Sequence, residues 1–126
     1  MTKTRIAIAG AGYIGQAHMA VARASASVML SAIVDPAPAA ADIAAQAGVP
    51  LYQSLEELLA RDRPDGLILA TPNPLHVPQA LQCIDAKLPI LLEKPIATTV
   101  AEGARLVQRV KETGARVLIG HHRAYS

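Results

Sequence analysis

The six residues Gly10-Ala11-Gly12-Tyr13-Ile14-Gly15 constrain the fold more than any other stretch of this chain. A short aliphatic run, Arg5 to Ala9, precedes them, and a segment of helical composition from Tyr13 to about Ala26 follows. A strand that turns sharply into a helix needs glycines at this spacing. Gly10 permits the turn, Gly12 bares the backbone, and Gly15 lets the helix pack close. The amides that open the helix have no intrahelical acceptor, so they favour an anion, phosphate above all. In this strand–turn–helix setting the pattern predicts a βαβ unit that cradles the pyrophosphate of a dinucleotide.

A second feature lies at the matching distance. Asp35 stands twenty residues after Gly15, at the end of a second aliphatic run, Val28 to Val34. An acid there accepts hydrogen bonds from the hydroxyls of an adenosine ribose and repels a 2′-phosphate. No arginine follows Asp35 before Arg61 to offset that repulsion, so NAD is favoured over NADP. The plainer reading of Asp35 is a turn-forming aspartate before Pro36. His18, near the start of the first helix, reads as a polar residue packed beside the glycine loop.

The rest of the chain repeats the same alternation. Ala39 to Ala47 is helix-forming, and Gly48 and Pro50 stop it. Leu51 and Tyr52 form a very short third strand. Ser54 and Glu57 make a capping box for a helix that ends near Arg61. Asp65 to Ala70 is a fourth strand, after which Asn73 and Pro74 read as N-cap and first residue of a helix. That helix carries Val77, Leu81 and Ile84 on one face, with Pro78 in its first turns. Leu88 to Leu92 is a fifth strand with Pro89 at its unpaired start. Thr99 and Glu102 cap a helix to about Thr113, with Val100, Val107 and Val110 as its buried stripe and Gly114 as its stop. Ala115 to Ile119 is a sixth strand. Strands separated by helices imply an α/β fold: a Rossmann-type, doubly wound parallel sheet with right-handed crossovers, over residues 1–126 as one domain. The dinucleotide reading adds the strand order 3-2-1-4-5-6.

Three polar motifs leave strands at one edge of this sheet: Thr71-Pro72-Asn73-Pro74-Leu75-His76, Glu93-Lys94-Pro95 and Gly120-His121-His122-Arg123. Ligands bind outside the carboxyl ends of parallel strands in such folds. Taken alone, Lys94 is a surface cation beside Glu93. At that edge, its ammonium can donate to a developing alkoxide or hold a hydroxyl for proton removal.

Composition excludes several alternatives. Hydrophobic residues are 52% of the chain, with no Trp and no Phe, so the core is aliphatic. Twelve basic and ten acidic residues are scattered, with no two Lys or Arg adjacent, which argues against a nucleic-acid surface. Cys83 is alone, so no intrachain disulfide forms, and its apolar neighbours mark it as a buried thiol. No apolar run approaches the roughly 20 residues that span a bilayer, and no signal peptide is evident, so a cytoplasmic, membrane-free protein is expected. No metal site is expected, because His121 and His122 supply too few ligands.

Together the glycines with His18, then Asp35, Thr71-Pro72-Asn73 with His76, and Glu93-Lys94-Pro95 resemble the glucose–fructose oxidoreductase / inositol dehydrogenase family, Gfo/Idh/MocA. The likeness covers nearly the whole chain, and Glu93-Lys94-Pro95 is its most specific part. The resemblance implies an NAD(P)-dependent oxidoreductase that transfers hydride between a nicotinamide and a sugar, inositol or related polyol. It implies Lys94 as the catalytic lysine near the reacting oxygen, with Glu93 and Pro95 shaping its loop. Gly10, Gly12, Tyr13, Ile14, Gly15, Asp35, Thr71, Pro72, Asn73, His76, Glu93, Lys94 and Arg123 would bind cofactor. Asn73 and His76 would lie near the nicotinamide ribose, and Arg123 at the rim of the cleft. It also implies a carboxyl-terminal substrate and oligomerisation domain, absent from this sequence, and a homo-oligomer at full length. The isolated domain is then expected to bind dinucleotide, to lack turnover, and to expose apolar surface that favours self-association.

Two other readings share the fold. A non-catalytic dinucleotide sensor or regulatory subunit would need only the phosphate loop and Asp35, so Lys94 and His76 argue for an enzyme. An unrelated Rossmann protein, such as a methyltransferase or an amino-acid-pathway dehydrogenase, would not carry Glu93-Lys94-Pro95.

Overall fold

The computed structural model describes residues 4–24, 26–71, 73–93 and 100–120. Its six aliphatic runs are strands β1 (Thr4–Ala9), β2 (Val28–Val34), β3 (Leu51–Tyr52), β4 (Gly66–Leu69), β5 (Ile90–Glu93) and β6 (Val117–Gly120). The helices between them are α1 (Tyr13–Ala24), α2 (Ala40–Ala47), α3 (Leu55–Arg61), α4 (His76–Asp85) and α5 (Val100–Thr113). Every neighbouring pair of strands is parallel, in the order β3-β2-β1-β4-β5-β6. This is the doubly wound Rossmann sheet expected from the sequence, with its reversal of winding between β1 and β4.

Local signals set most boundaries. Ser54 accepts from the Glu57 N–H at 3.1 Å, as an N-cap should, but the Glu57 carboxylate reaches back to the Gln53 N–H at 3.0 Å rather than to that of Ser54. Gly48 ends α2 with φ +72°, and its N–H reaches the Ala45 carbonyl. Other expectations shift. Helix α1 ends at Ala24, two residues early, and β5 starts at Ile90, after Pro89, not at Leu88. β6 runs from Val117 to Gly120 rather than from Ala115 to Ile119. Asn73 is not the N-cap of α4: Asn73–Leu75 form a 3-10 turn, and the α-helix begins at His76 behind Leu75. Pro78, third in α4, removes no helical bond, because first-turn amides have no intrahelical acceptor. On α5, Leu106 is buried at 4% exposure, whereas Val107 is 53% exposed. The apolar spacings Leu106–Val110 and Val107–Val110 are both helical, and packing selects the first. Thr99, proposed as the cap of α5, lies outside the described residues.

The sheet divides the core into two layers, and a bulge in β2 sets which of its residues join each one. Ile6 pairs with Leu30 but Ala7 pairs with Ala32, leaving Ser31 as an extra residue in β2. Strict alternation would place Leu30 and Ala32 on one face. Instead Leu30 and Ile33 pack with Ile8, Met19, Ala40 and Ala44 under α1 and α2. Ala32 and Val34 pack with Leu58, Leu69, Val77 and Leu92 under α3, α4 and α5. Ser31 is 6% exposed, and its hydroxyl has no hydrogen-bond partner among the described residues.

Right-handed crossovers send α1 and α2 to one face and α4 and α5 to the other, because the winding direction reverses at the centre. One face is therefore roofed across the sheet. On the other face, Ile68 packs against the core cluster beneath α1, while Leu118 is 68% exposed. An apolar cleft of about 660 Å³ opens there, bordered by Val21 and Ala22 of α1.

Candidate functional site

The carboxyl ends of β1, β2, β3 and β4 are laced together by backbone bonds. Gly10 N–H donates to the Val34 carbonyl at 2.8 Å, Ala70 N–H to Ala9 at 2.8 Å, and Asp35 N–H to Tyr52 at 3.0 Å. The glycine turn sits on this platform. Gly10 has φ +100°, and a Cβ there would lie 2.5 Å from the Ala70 carbonyl oxygen. Gly15 is closed from below, since a Cβ would lie 1.8 Å from the Gly10 oxygen. The helix thus packs against the carbonyl of its own turn, with the Ile8 side chain beyond at 3.7 Å. Gly12 is the opposite case: a Cβ there would meet nothing within 4 Å. The turn is shut at its first and third glycines and open at the second.

The opening faces a cleft of about 750 Å³ lined by Gly10, Gly12, Asp35, Pro36, Thr71 and Leu75, with Ser54, Glu56 and Gln79 at its sides. The first helical bond of α1 runs from Gln16 N–H to the Gly12 carbonyl at 2.9 Å. The amides of Tyr13, Ile14 and Gly15 therefore precede any intrahelical bond and remain for an anion. A pyrophosphate fits such a donor set and the open space at Gly12.

Asp35 performs two local tasks. One carboxylate oxygen accepts from the Ala37 N–H at 2.8 Å, the turn-forming role. The other accepts from the Ala11 N–H at 2.8 Å, inside the glycine turn. Each oxygen keeps a further lone pair for a ribose hydroxyl. On the opposite wall, the Thr71 hydroxyl donates to Gln79 Oε1 at 2.5 Å. His76 is 2% exposed, and its Nε2 lies 2.8 Å from the Thr71 carbonyl oxygen. A carbonyl only accepts, so Nε2 carries the proton. His76 thus ties the β4–α4 loop from beneath.

Parallel pairing places Glu93 opposite Gly120 at the carboxyl ends of β5 and β6, the same edge as the glycine turn. Pro72, Lys94, Pro95, His121, His122 and Arg123 lie outside the described residues. His18 borders the apolar cleft beside Val21 and Ala22, rather than the nucleotide cleft. Sequence reading missed Gln16 and Gln79, both polar and one helical turn from a loop they hold. It anticipated Cys83, which is buried and whose thiol pKa is pushed from 9.0 up to about 12, chiefly by desolvation. Among the described residues no cluster of three or more His, Cys, Asp or Glu could hold a metal, and no helix is long and apolar enough to cross a membrane.

The fold and this cleft define a Rossmann domain of the dinucleotide-binding class. Residues 4–121 match the model of the GFO_IDH_MocA family, described as an oxidoreductase family with an NAD-binding Rossmann fold, and the chain belongs to that family. It is 35% identical to the 4-carboxy-2-hydroxymuconate-6-semialdehyde dehydrogenase of Sphingobium sp., over 97% of this chain and 39% of the relative. It is 33% identical to the inositol 2-dehydrogenase of Mycolicibacterium smegmatis, over 94% of this chain and 35% of the relative. Among solved structures, it is similar to the WlbA dehydrogenase of Bordetella pertussis in complex with NADH and UDP-GlcNAcA. That likeness has a TM-score of 0.87 and 32% identity, covering 94% of this chain and 35% of the other. The sequence therefore spans less than two fifths of the length of these relatives.

Proposed function

We propose that this chain is the nucleotide-binding domain of an NAD-dependent oxidoreductase that moves hydride between the nicotinamide and a hydroxyl of a sugar, inositol or related polyol. The observation that carries the reading is the glycine turn, closed at Gly10 and Gly15, open at Gly12, with Asp35 folded against it. Tyr13, Ile14 and Gly15 offer amides to the pyrophosphate. Asp35 receives the adenosine ribose hydroxyls and disfavours a 2′-phosphate, so NADP binds less well than NAD. Thr71, Pro72, Asn73 and Arg123 are assigned to the nicotinamide side of the cofactor, with His76 supporting Thr71 from within the fold. NAD, when bound, supplies the hydride acceptor.

Lys94, next after Glu93 at the carboxyl edge, is the residue assigned to the reacting oxygen. Its ammonium holds the substrate hydroxyl and stabilises the charge that develops as the proton leaves. Substrate choice and assembly into an oligomer are assigned to the length that the relatives have beyond the match. The semialdehyde and inositol dehydrogenases named above share this domain's pattern while differing in substrate, which fits that division.

Calorimetric titration of the chain with NADH and NADPH tests the reading. Binding of NADH at least tenfold tighter than NADPH is expected, and Asp35→Ala should erase the difference. Equal binding of both by the unaltered chain would defeat the role given to Asp35. In a longer form of the polypeptide that oxidises a polyol, Lys94→Met should lower kcat by about 10²-fold or more, as loss of a positioned acid–base group does. The 126-residue chain alone should show no polyol-dependent NADH formation.

A further inference from the structure

A turn containing three glycines is costly to order, since glycine loses more backbone freedom than any other residue. Amides aimed at a phosphate bind best when that cost has been met beforehand. Ala11, between the first two glycines, is 5% exposed, and side chains satisfy both of its backbone groups. Its N–H donates to Asp35 Oδ2 at 2.8 Å, and its carbonyl accepts from Gln16 Nε2 at 3.0 Å. Asp35 is itself held by Ala37 through its other oxygen. Gln16 grips the turn twice, because its backbone N–H also donates to the Gly12 carbonyl at 2.9 Å. One hold comes from the end of β2 and the other from the first turn of α1.

We propose that Gln16 and Asp35 are positioning residues that clamp Ala11 and hold the glycine turn in its anion-binding shape before nucleotide arrives. Asp35 then contributes to affinity even for a ligand with no ribose hydroxyl to hold, and Gln16 contributes without meeting the ligand. The inference rests on the nucleotide reading above and extends it.

The test uses the chain with two probes, ADP and 2′,3′-dideoxy-ADP, titrated into the unaltered protein, Gln16→Met and Asp35→Ala. Methionine keeps the length of the side chain and its helix propensity while removing the amide donor. Gln16→Met should weaken both probes by the same factor, about threefold to tenfold, as expected for one lost hydrogen bond. Asp35→Ala should weaken the dideoxy probe by a similar factor and ADP by more. Wild-type affinity of Gln16→Met for both probes, or an unchanged dideoxy affinity in Asp35→Ala, overturns the clamp while leaving the nucleotide reading intact. Failure of the unaltered chain to bind ADP or NADH overturns both. Should Asp35→Ala not fold, Gln16→Met decides, because Gln16 is exposed and its loss leaves no cavity. Amide exchange gives a readout without ligand: the Ala11 N–H should exchange slowly in the unaltered chain and at least about tenfold faster once Asp35 is replaced. Fast exchange at Ala11 in the unaltered chain would also overturn the clamp.

Discussion

On one face of the sheet, Leu67, Leu69 and Leu92 lie under α3, α4 and α5 and are at most 1% exposed. On the opposite face, Ile68 of β4 and Leu91 of β5 are half-buried, and Leu118 of the edge strand β6 is 68% exposed. The residues are equally aliphatic; the pleat turns them to opposite faces, and Leu118 lies in addition on the edge strand. The contrast therefore owes nothing to side-chain chemistry. It follows from winding: the chain moves outward from the centre in both directions, and right-handed crossovers put the two sets of helices on opposite faces. Among the described residues, the second face is covered at Ile68 by the cluster beneath α1 and is most exposed at Leu118. Parallel strands are expected to be buried on both faces, and the exposed Leu118 departs from that pattern.

Replacing one residue from each face gives the largest effect. Leu69→Ala removes a fully buried side chain beneath α4 and should cost about 2–5 kcal/mol in urea denaturation. Leu118→Ala should cost within about 0.5 kcal/mol in the same measurement. Comparable losses would mean that the second face is covered in solution, and the contrast would break.

The covered face also carries a pH signature. Burial raises the Cys83 thiol from 9.0 to about 12, so the folded state holds its proton more tightly than the unfolded chain. The sign follows: this stabilisation is full below pH 9.0 and is lost as pH rises toward about 12. Cys83→Ala should show a shallower decline across that window in thermal melts, though it starts from lower stability because of the cavity. A parallel decline in both proteins would refute a buried thiol at this position.

Smaller effects sharpen the edges of the comparison. Ser31→Ala removes a buried hydroxyl with no described partner and should be neutral or stabilising by up to about 1 kcal/mol in chemical denaturation. A clear loss would reveal a partner for that hydroxyl. Leu118→Lys should change stability least, within about 0.5 kcal/mol, while reducing self-association in light scattering at high concentration. Association that is undiminished by the lysine would remove Leu118 from consideration as the sticky surface.

Much of the molecule was legible in short windows of sequence. The glycine turn, the Ser54 cap, the Gly48 and Gly114 stops and the six aliphatic runs each depend on residues within a few positions of one another. Val110 packs on the core as expected, but Val107 was misplaced in the stripe of α5, because two helical spacings were available and only packing selects Leu106 over Val107. Asn73 was misread as a cap because a proline-containing first turn can close as 3-10 before the α-helix begins. In the site, Gly10, Gly12, Gly15 and Asp35 announced themselves by type and spacing. Gln16 did not, since a glutamine on an exposed helical turn looks like any solvated residue. Its importance lies in the direction of one amide. His76 was read from its motif; only the fold shows it buried and bonded to the Thr71 carbonyl.

By itself the sequence determined the class of fold and the place of the glycine turn, because turn geometry, capping and periodicity are local and each has its own residue chemistry. Tertiary structure alone decided the bulge at Ser31, the clamp on Ala11 and the exposure of Leu118. Each of these arises where residues distant in sequence meet, and the choice among near-equal local options is made by whichever partner the sheet brings alongside.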